Sequence, residues 1–98
     1  MSRGGLVADP KATPDAIRAE VRKLILEEFL PGTDPGELSD STPLITGGIL
    51  DSLGTVKVVA ALEDRYGIEI EAHEASVTHF NSVGDIVQLV QTKLRPPA

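Results

Sequence analysis

Residues 47–54 read Gly47-Gly48-Ile49-Leu50-Asp51-Ser52-Leu53-Gly54, and a helical apolar pattern starts at once and runs to Tyr66-Gly67. The glycines break the preceding segment, and Asp51-Ser52 supplies side-chain oxygens of the kind that cap helix starts. A helix is therefore expected from Ser52 to Tyr66. Gly67 closes it, because glycine takes the left-handed closing conformation at least cost. Leu53, Val56 and Ala60 share one side of that helix, while Val58, Val59, Leu62 and Tyr66 share the opposite side. Only one stripe can face the core, so the other is free for an outside contact. A helix start also exposes unpaired N–H groups at the positive end of the helix dipole, and Ser52 is thus well placed to carry a phosphate.

Upstream, Pro31, Gly32, Pro35, Gly36, Pro43, Gly47 and Gly48 break any regular helix between Pro31 and Asp51. The expectation is a long loop, pinned over the helices by Leu38, Leu44, Ile45, Ile49 and Leu50, that delivers Ser52 to the surface. Before it, Thr13-Pro14-Asp15 marks a helix start with a capping hydroxyl, a proline suited to the first turn and an acid at the positive end. Ile17, Val21, Leu24, Ile25 and Phe29 then recur at helical spacing. Residues 1–12 carry too little apolar surface to repay ordering, and a disordered N-terminal tail is expected there.

Downstream, Ile68-Glu69-Ile70-Glu71 alternates like a strand but has no partner segment, so it reads as an extended link placing Ile68 or Ile70 in the core. Glu74 to Phe80 suggests one or two helical turns, with Ala75, Val77 and Phe80 as apolar contacts. Ser82-Val83-Gly84-Asp85 resembles a capping box opening a last helix, whose stripe is Val83, Ile86, Val87, Val90 and Leu94. Pro96-Pro97 stops it, leaving 96–98 as a tail. The fold expected is all-α: a four-helix bundle of three longer helices and one short one over residues 13–95, with a long loop between helices one and two.

Composition narrows the function. Ninety-eight residues with 41% hydrophobic content suit one core, built mainly from aliphatic side chains since there are two Phe, one Tyr and no Trp. A net charge of -6 repels phosphate backbones and speaks against a nucleic-acid partner. With no cysteine there is no disulfide, no thiolate metal site and no cysteine nucleophile. His73 and His79 are spaced too far apart for one helical metal face, so no metal site is assigned. No acid–base pair is marked for catalysis, and Gly47-Gly48 lacks the lysine a nucleotide loop would need. The N-terminus has no signal-peptide core and no stretch is long enough to span a membrane. A cytoplasmic protein, monomeric and without a membrane partner, is expected.

Three segments together carry a family likeness: Gly47-Gly48-Ile49-Leu50-Asp51-Ser52-Leu53, Leu62-Glu63-Asp64-Arg65-Tyr66-Gly67-Ile68-Glu69-Ile70, and Phe80-Asn81-Ser82-Val83-Gly84-Asp85-Ile86. Over about residues 14–94 the chain resembles the acyl carrier proteins, including their peptidyl and aminoacyl carrier relatives. That resemblance implies a bundle of the same helix count. It implies that Ser52 receives phosphopantetheine from coenzyme A through a separate phosphopantetheinyl transferase, and that the arm's thiol holds acyl or aminoacyl groups as thioesters. Asp51 would be the motif neighbour presented to the transferase and its magnesium. Leu53, Val56 and Ala60 would match docking positions for a loading enzyme and a downstream synthase or transferase. The chain itself would be no enzyme.

Gly54 and Lys57 stand where fatty-acid-synthesis carriers usually show acids, which favours a dedicated carrier in a polyketide, nonribosomal peptide or related specialised pathway. The alternatives are a free-standing aminoacyl or peptidyl carrier, and an unmodified helical interaction domain that uses the Leu53, Val56, Ala60 stripe.

Overall fold

The computed structural model describes residues 13–94. Among these the chain forms four α-helices, α1 (Pro14–Phe29), α2 (Ser52–Tyr66), α3 (Val77–Phe80) and α4 (Val83–Leu94), with single 3-10 turns at Pro35–Glu37 and Ala72–Glu74 and no strand. The all-α four-helix arrangement with a long first loop is the one expected. The tails expected at 1–12 and 96–98 lie outside the described residues, as does Arg95.

The helix ends follow from local chemistry. Thr13 Oγ1 accepts the Ala16 N–H at 3.2 Å, and Pro14 occupies the first turn of α1, where no N–H is needed. Gly67, at φ 65°, closes α2 in the left-handed conformation, and its N–H donates to the Glu63 carbonyl at 2.9 Å. Ser82 Oγ accepts the Asp85 N–H at 3.1 Å at the start of α4.

The apolar stripes meet in one core. Ile17, Val21 and Ile25 of α1 are fully buried and pack mainly on α4, which contributes Val83, Ile86, Val87, Leu89 and Val90. Val58 and Leu62 bring in α2, and both Ile68 and Ile70 drop from the extended link. Each such aliphatic side chain contributes about 1.5–3 kcal/mol by leaving water, which outweighs the weak intrinsic stability of helices this short. The helices α1 and α2 run antiparallel, since Arg65 near the end of α2 pairs with Glu20 of α1 at 3.3 Å while Gly54 at its start lies against Phe29.

The long loop is held at several points. Leu38, Leu44 and Leu50 are buried, and Ile45 and Ile49 are half-buried. The Arg22 guanidinium donates to the Leu38 carbonyl and, at 2.8 Å, to that of Pro35. The Asp40 carboxylate takes Arg18 at 2.7 Å, and its carbonyl accepts the Gly84 N–H at 3.0 Å. These bonds close backbone groups that a loop crossing a core would otherwise leave unpaired.

The second connection is held by an ion pair. Lys93 Nζ of α4 lies 2.6 Å from Glu74 Oε1, and the Glu71 N–H donates to that same oxygen at 2.8 Å. The Lys93 hydrogen bond, then that from the Glu71 backbone, holds the Glu74 carboxyl below its ordinary value of 4.5. A depressed carboxylate pKa contributes stability that is complete above the unfolded value and is lost as pH falls through the folded one. Lys93→Met should therefore lower urea stability at neutral pH, and the gap to wild type should narrow as pH drops below about 4.5. A gap that stays constant into acid would remove the ion pair as its cause.

Candidate functional site

Asp51 is the N-cap of α2: its Oδ1 accepts the Gly54 N–H at 2.7 Å, and its carbonyl accepts both the Thr55 N–H and the Thr55 hydroxyl at 2.9 Å. Ser52 is the first residue of the helix and is exposed. Capping and presentation thus fall to neighbouring residues, so the serine hydroxyl is not consumed by the cap. Among the described residues neither that hydroxyl nor the N–H groups of Ser52 and Leu53 have a hydrogen-bond partner. A phosphate joined to Ser52 Oγ would sit at the positive end of a 15-residue helix beside free donors.

An open groove of about 650 Å³ runs beside Ser52, between α2 and the segment leading into α3. Val56 and Thr55 form one wall, Ala72, Ala75 and Val77 the other, and Ile45 closes one end. Leu53 is 70% exposed, Val56 60% and Val77 48%, so apolar surface borders the serine from both helices. Val77 was expected as an inward contact of the short helix. Instead Phe80 alone on α3 is fully buried, Ala75 is half-buried, and Val77 faces out. A helix of one turn has a single inward position, and the ring takes it.

The three stripe residues are all exposed, but they do not line one surface. Val56 lines the groove facing α3, whereas Leu53 and Ala60 border smaller hollows on the α1 side that share Glu28, Phe29 and Lys57. Gly54 also differs from its sequence reading as a missing acid. It is buried, and a Cβ there would lie 2.8 Å from Phe29 Cε1 and 3.1 Å from Asp51 Oδ1. At Gly54, α2 approaches the Phe29 ring closely. Lys57, by contrast, is exposed and does reduce the negative charge of this face.

Sequence reasoning missed two contributors. Thr55 is buried with its hydroxyl satisfied by the Asp51 carbonyl, which the i to i+4 spacing on a capped helix could have shown. Asn81 bonds the serine loop from 35 residues away, a role that its place in the Phe80–Ile86 segment does not show. Among the described residues no group of three His, Cys, Asp or Glu could hold a metal ion, and no helix is long and apolar enough to cross a membrane.

This is a helical scaffold with an exposed serine hydroxyl at the start of α2. The family model described as "Phosphopantetheine attachment site" matches residues 19–90. The chain is 37% identical over 79 residues to the D-alanyl carrier protein of Streptococcus sanguinis, covering 81% of this chain and 95% of that protein. It is 33% identical over 79 residues to the D-alanyl carrier protein of Streptococcus mutans, with the same coverage of 81% and 95%. It is 34% identical over 74 residues to the acyl carrier protein of Phenylobacterium zucineum, covering 76% and 89%. The chain belongs to the phosphopantetheine-dependent carrier proteins, the family that includes the acyl and D-alanyl carriers. It is a non-catalytic carrier whose prosthetic group is covalently attached phosphopantetheine.

Proposed function

We propose that Ser52 is the attachment residue and that the arm it bears holds a small aminoacyl or acyl group as a thioester in a dedicated loading or assembly pathway. The observation that carries the reading is the exposed Ser52 hydroxyl at the first position of α2, with the cap left to Asp51. Asp51 is exposed, and its Oδ2 has no partner among the described residues, so that oxygen is available to a transferase and its magnesium. When bound, phosphopantetheine supplies the terminal thiol that this cysteine-free chain lacks. The chain's own part is to hold the tether outward, favour its phosphate at the helix start and present recognisable surface around it.

The relatives named D-alanyl carrier protein, matched along 95% of their length, support an aminoacyl cargo. The groove beside Ser52 is open and walled by Ala72 and Ala75, which suits a short group better than a long chain needing enclosure. The exposed Lys57 also sets this face apart from the more acidic one expected of fatty-acid carriers. The polyketide or nonribosomal peptide setting expected from the sequence remains compatible with such a carrier acting as a cytoplasmic monomer. Incubation with coenzyme A and a broad-specificity phosphopantetheinyl transferase, followed by intact mass and peptide mapping, tests the attachment. A wild-type chain that gains no mass, or an arm mapped to another residue, overturns it.

Val56 and Val77 beside Ser52, and Leu53 and Ala60 towards α1, are the positions proposed to dock the transferase and the loading enzyme. Val56→Asp should change unfolding free energy by no more than about 0.5 kcal/mol, because the side chain is exposed. It should slow modification or loading about tenfold, the effect of about 1.4 kcal/mol at a buried interface position. Unaltered kinetics would take Val56 off the surface partners use, and loss of helical circular dichroism would show that it supports the core.

A further inference from the structure

Asn81 ends α3 with φ -87° and ψ -2°, and from there it holds the loop that leads to Ser52. Its Oδ1 accepts the Ile45 and Thr46 N–H groups, each at 2.9 Å, its Nδ2 donates to Thr46 Oγ1 at 3.2 Å, and its carbonyl accepts the Leu44 N–H at 2.8 Å. The Leu44 carbonyl in turn accepts the N–H groups of Ile49 and Leu50 at 2.8 Å. Leu50 is the residue before the Asp51 cap. A continuous run of hydrogen bonds therefore links the end of α3 to the start of α2, across a segment whose glycines and proline would leave many conformations open. Ile45 and Val77, one on each side of this bond set, both line the groove beside Ser52.

We infer that Asn81 is a positioning residue: by bonding Ile45 and Thr46 it keeps the loop and α3 together as one unit, so that Ser52 is presented in the arrangement a modifying enzyme recognises. The inference rests on Ser52 being the attachment residue. Without the side chain, the Leu44 bond to the Asn81 backbone and the buried leucines still hold the fold, but the 45–46 turn is released. Only a fraction of molecules then presents the serine correctly, and a partner's apparent affinity falls by that fraction while the step after binding is unaffected.

The experiment uses the full chain with Asn81→Ala and Asn81→Asp. The aspartate keeps an acceptor for both N–H groups, whereas alanine keeps none. In Asn81→Ala, amide exchange at Ile45 and Thr46 should quicken by about tenfold, the scale expected for losing such bonds. The transferase KM for the carrier should rise by about three- to tenfold with kcat within about twofold, and Asn81→Asp should recover most of both effects. Helical circular dichroism identifies an alanine variant that is simply unfolded. In that case Asn81→Asp decides alone: with wild-type exchange and KM it supports the inference, and with either altered as a folded protein it overturns it. A folded alanine variant with wild-type KM overturns the positioning role whatever its exchange rate. An aspartate variant as impaired as alanine does the same. Wild-type protein that accepts no arm overturns the reading of Ser52 instead, and the exchange data at Ile45 and Thr46 still decide whether Asn81 holds the loop.

Discussion

Ser52→Ala gains no mass from coenzyme A under conditions that modify the wild-type chain completely, while its unfolding free energy stays within about 0.5 kcal/mol of wild type. Both halves of that result follow from how the start of α2 is built. The N-cap is Asp51, whose carboxylate takes the Gly54 N–H, and the first backbone bond of the helix runs from Thr55 to the Asp51 carbonyl. The Ser52 side chain is exposed and contributes no hydrogen bond to the protein among the described residues, so deleting its oxygen strands no buried donor or acceptor. Alanine is also the better helix former, which offsets any small loss of solvation. The substitution therefore separates chemistry from folding.

A companion variant sharpens the point. Asp51→Ala should cost about 1 kcal/mol through the lost cap, yet leave the hydroxyl in place, so its fall in modification rate would be partial where that of Ser52→Ala is total. Mass gain persisting in Ser52→Ala would assign the arm to another hydroxyl and dissolve the proposed site.

How far such a site can be read from sequence depends on the range of the forces that make it. The start of α2 was legible because capping is local: Asp51, Ser52 and Gly54 lie within one turn, and their side chains settle their own geometry. The stripes of α1 and α4 were legible because burial repeats every three or four residues, and Ile17, Val21 and Ile25 are buried as that spacing requires. Leu38, Leu44 and Leu50 could be assigned to the core even in a loop, since apolar side chains among so many breakers have few other places to go.

What escaped was set by contacts distant in sequence. That Gly54 also faces the Phe29 ring, 25 positions earlier, could not be read locally. Asn81 lay within the Phe80–Ile86 segment, but its role did not show, because its partners Ile45 and Thr46 use backbone N–H groups that every sequence possesses. Val77 was placed inside because periodicity cannot choose among apolar residues in a helix of four, where a single ring settles the matter.

That ring carries the other large effect. Phe80→Ala should destabilise the protein by about 3–5 kcal/mol, a large share of the 5–15 kcal/mol typical of a native domain, measured by urea denaturation. Phe80 is fully buried, and α3, at four residues, is far too short to be helical on its own account. α3 packs on α4 and Phe80 is its fully buried residue, so the substitution removes the burial that holds the turn in place. Phe80→Leu, which keeps most of the volume, should cost under about 1.5 kcal/mol, and Val77→Ala, at a position 48% exposed, should be close to neutral. The functional consequence is graded in the same order. Loss of α3 removes the Ala75–Val77 wall from the groove beside Ser52 and the anchor of the Asn81 bonds to the serine loop. Phe80→Ala should then impair modification at temperatures where the other three helices still give most of the circular dichroism signal. Equal and simultaneous loss of helicity and modification would show instead that the ring supports the whole bundle and that α3 has no separable part in presenting the serine.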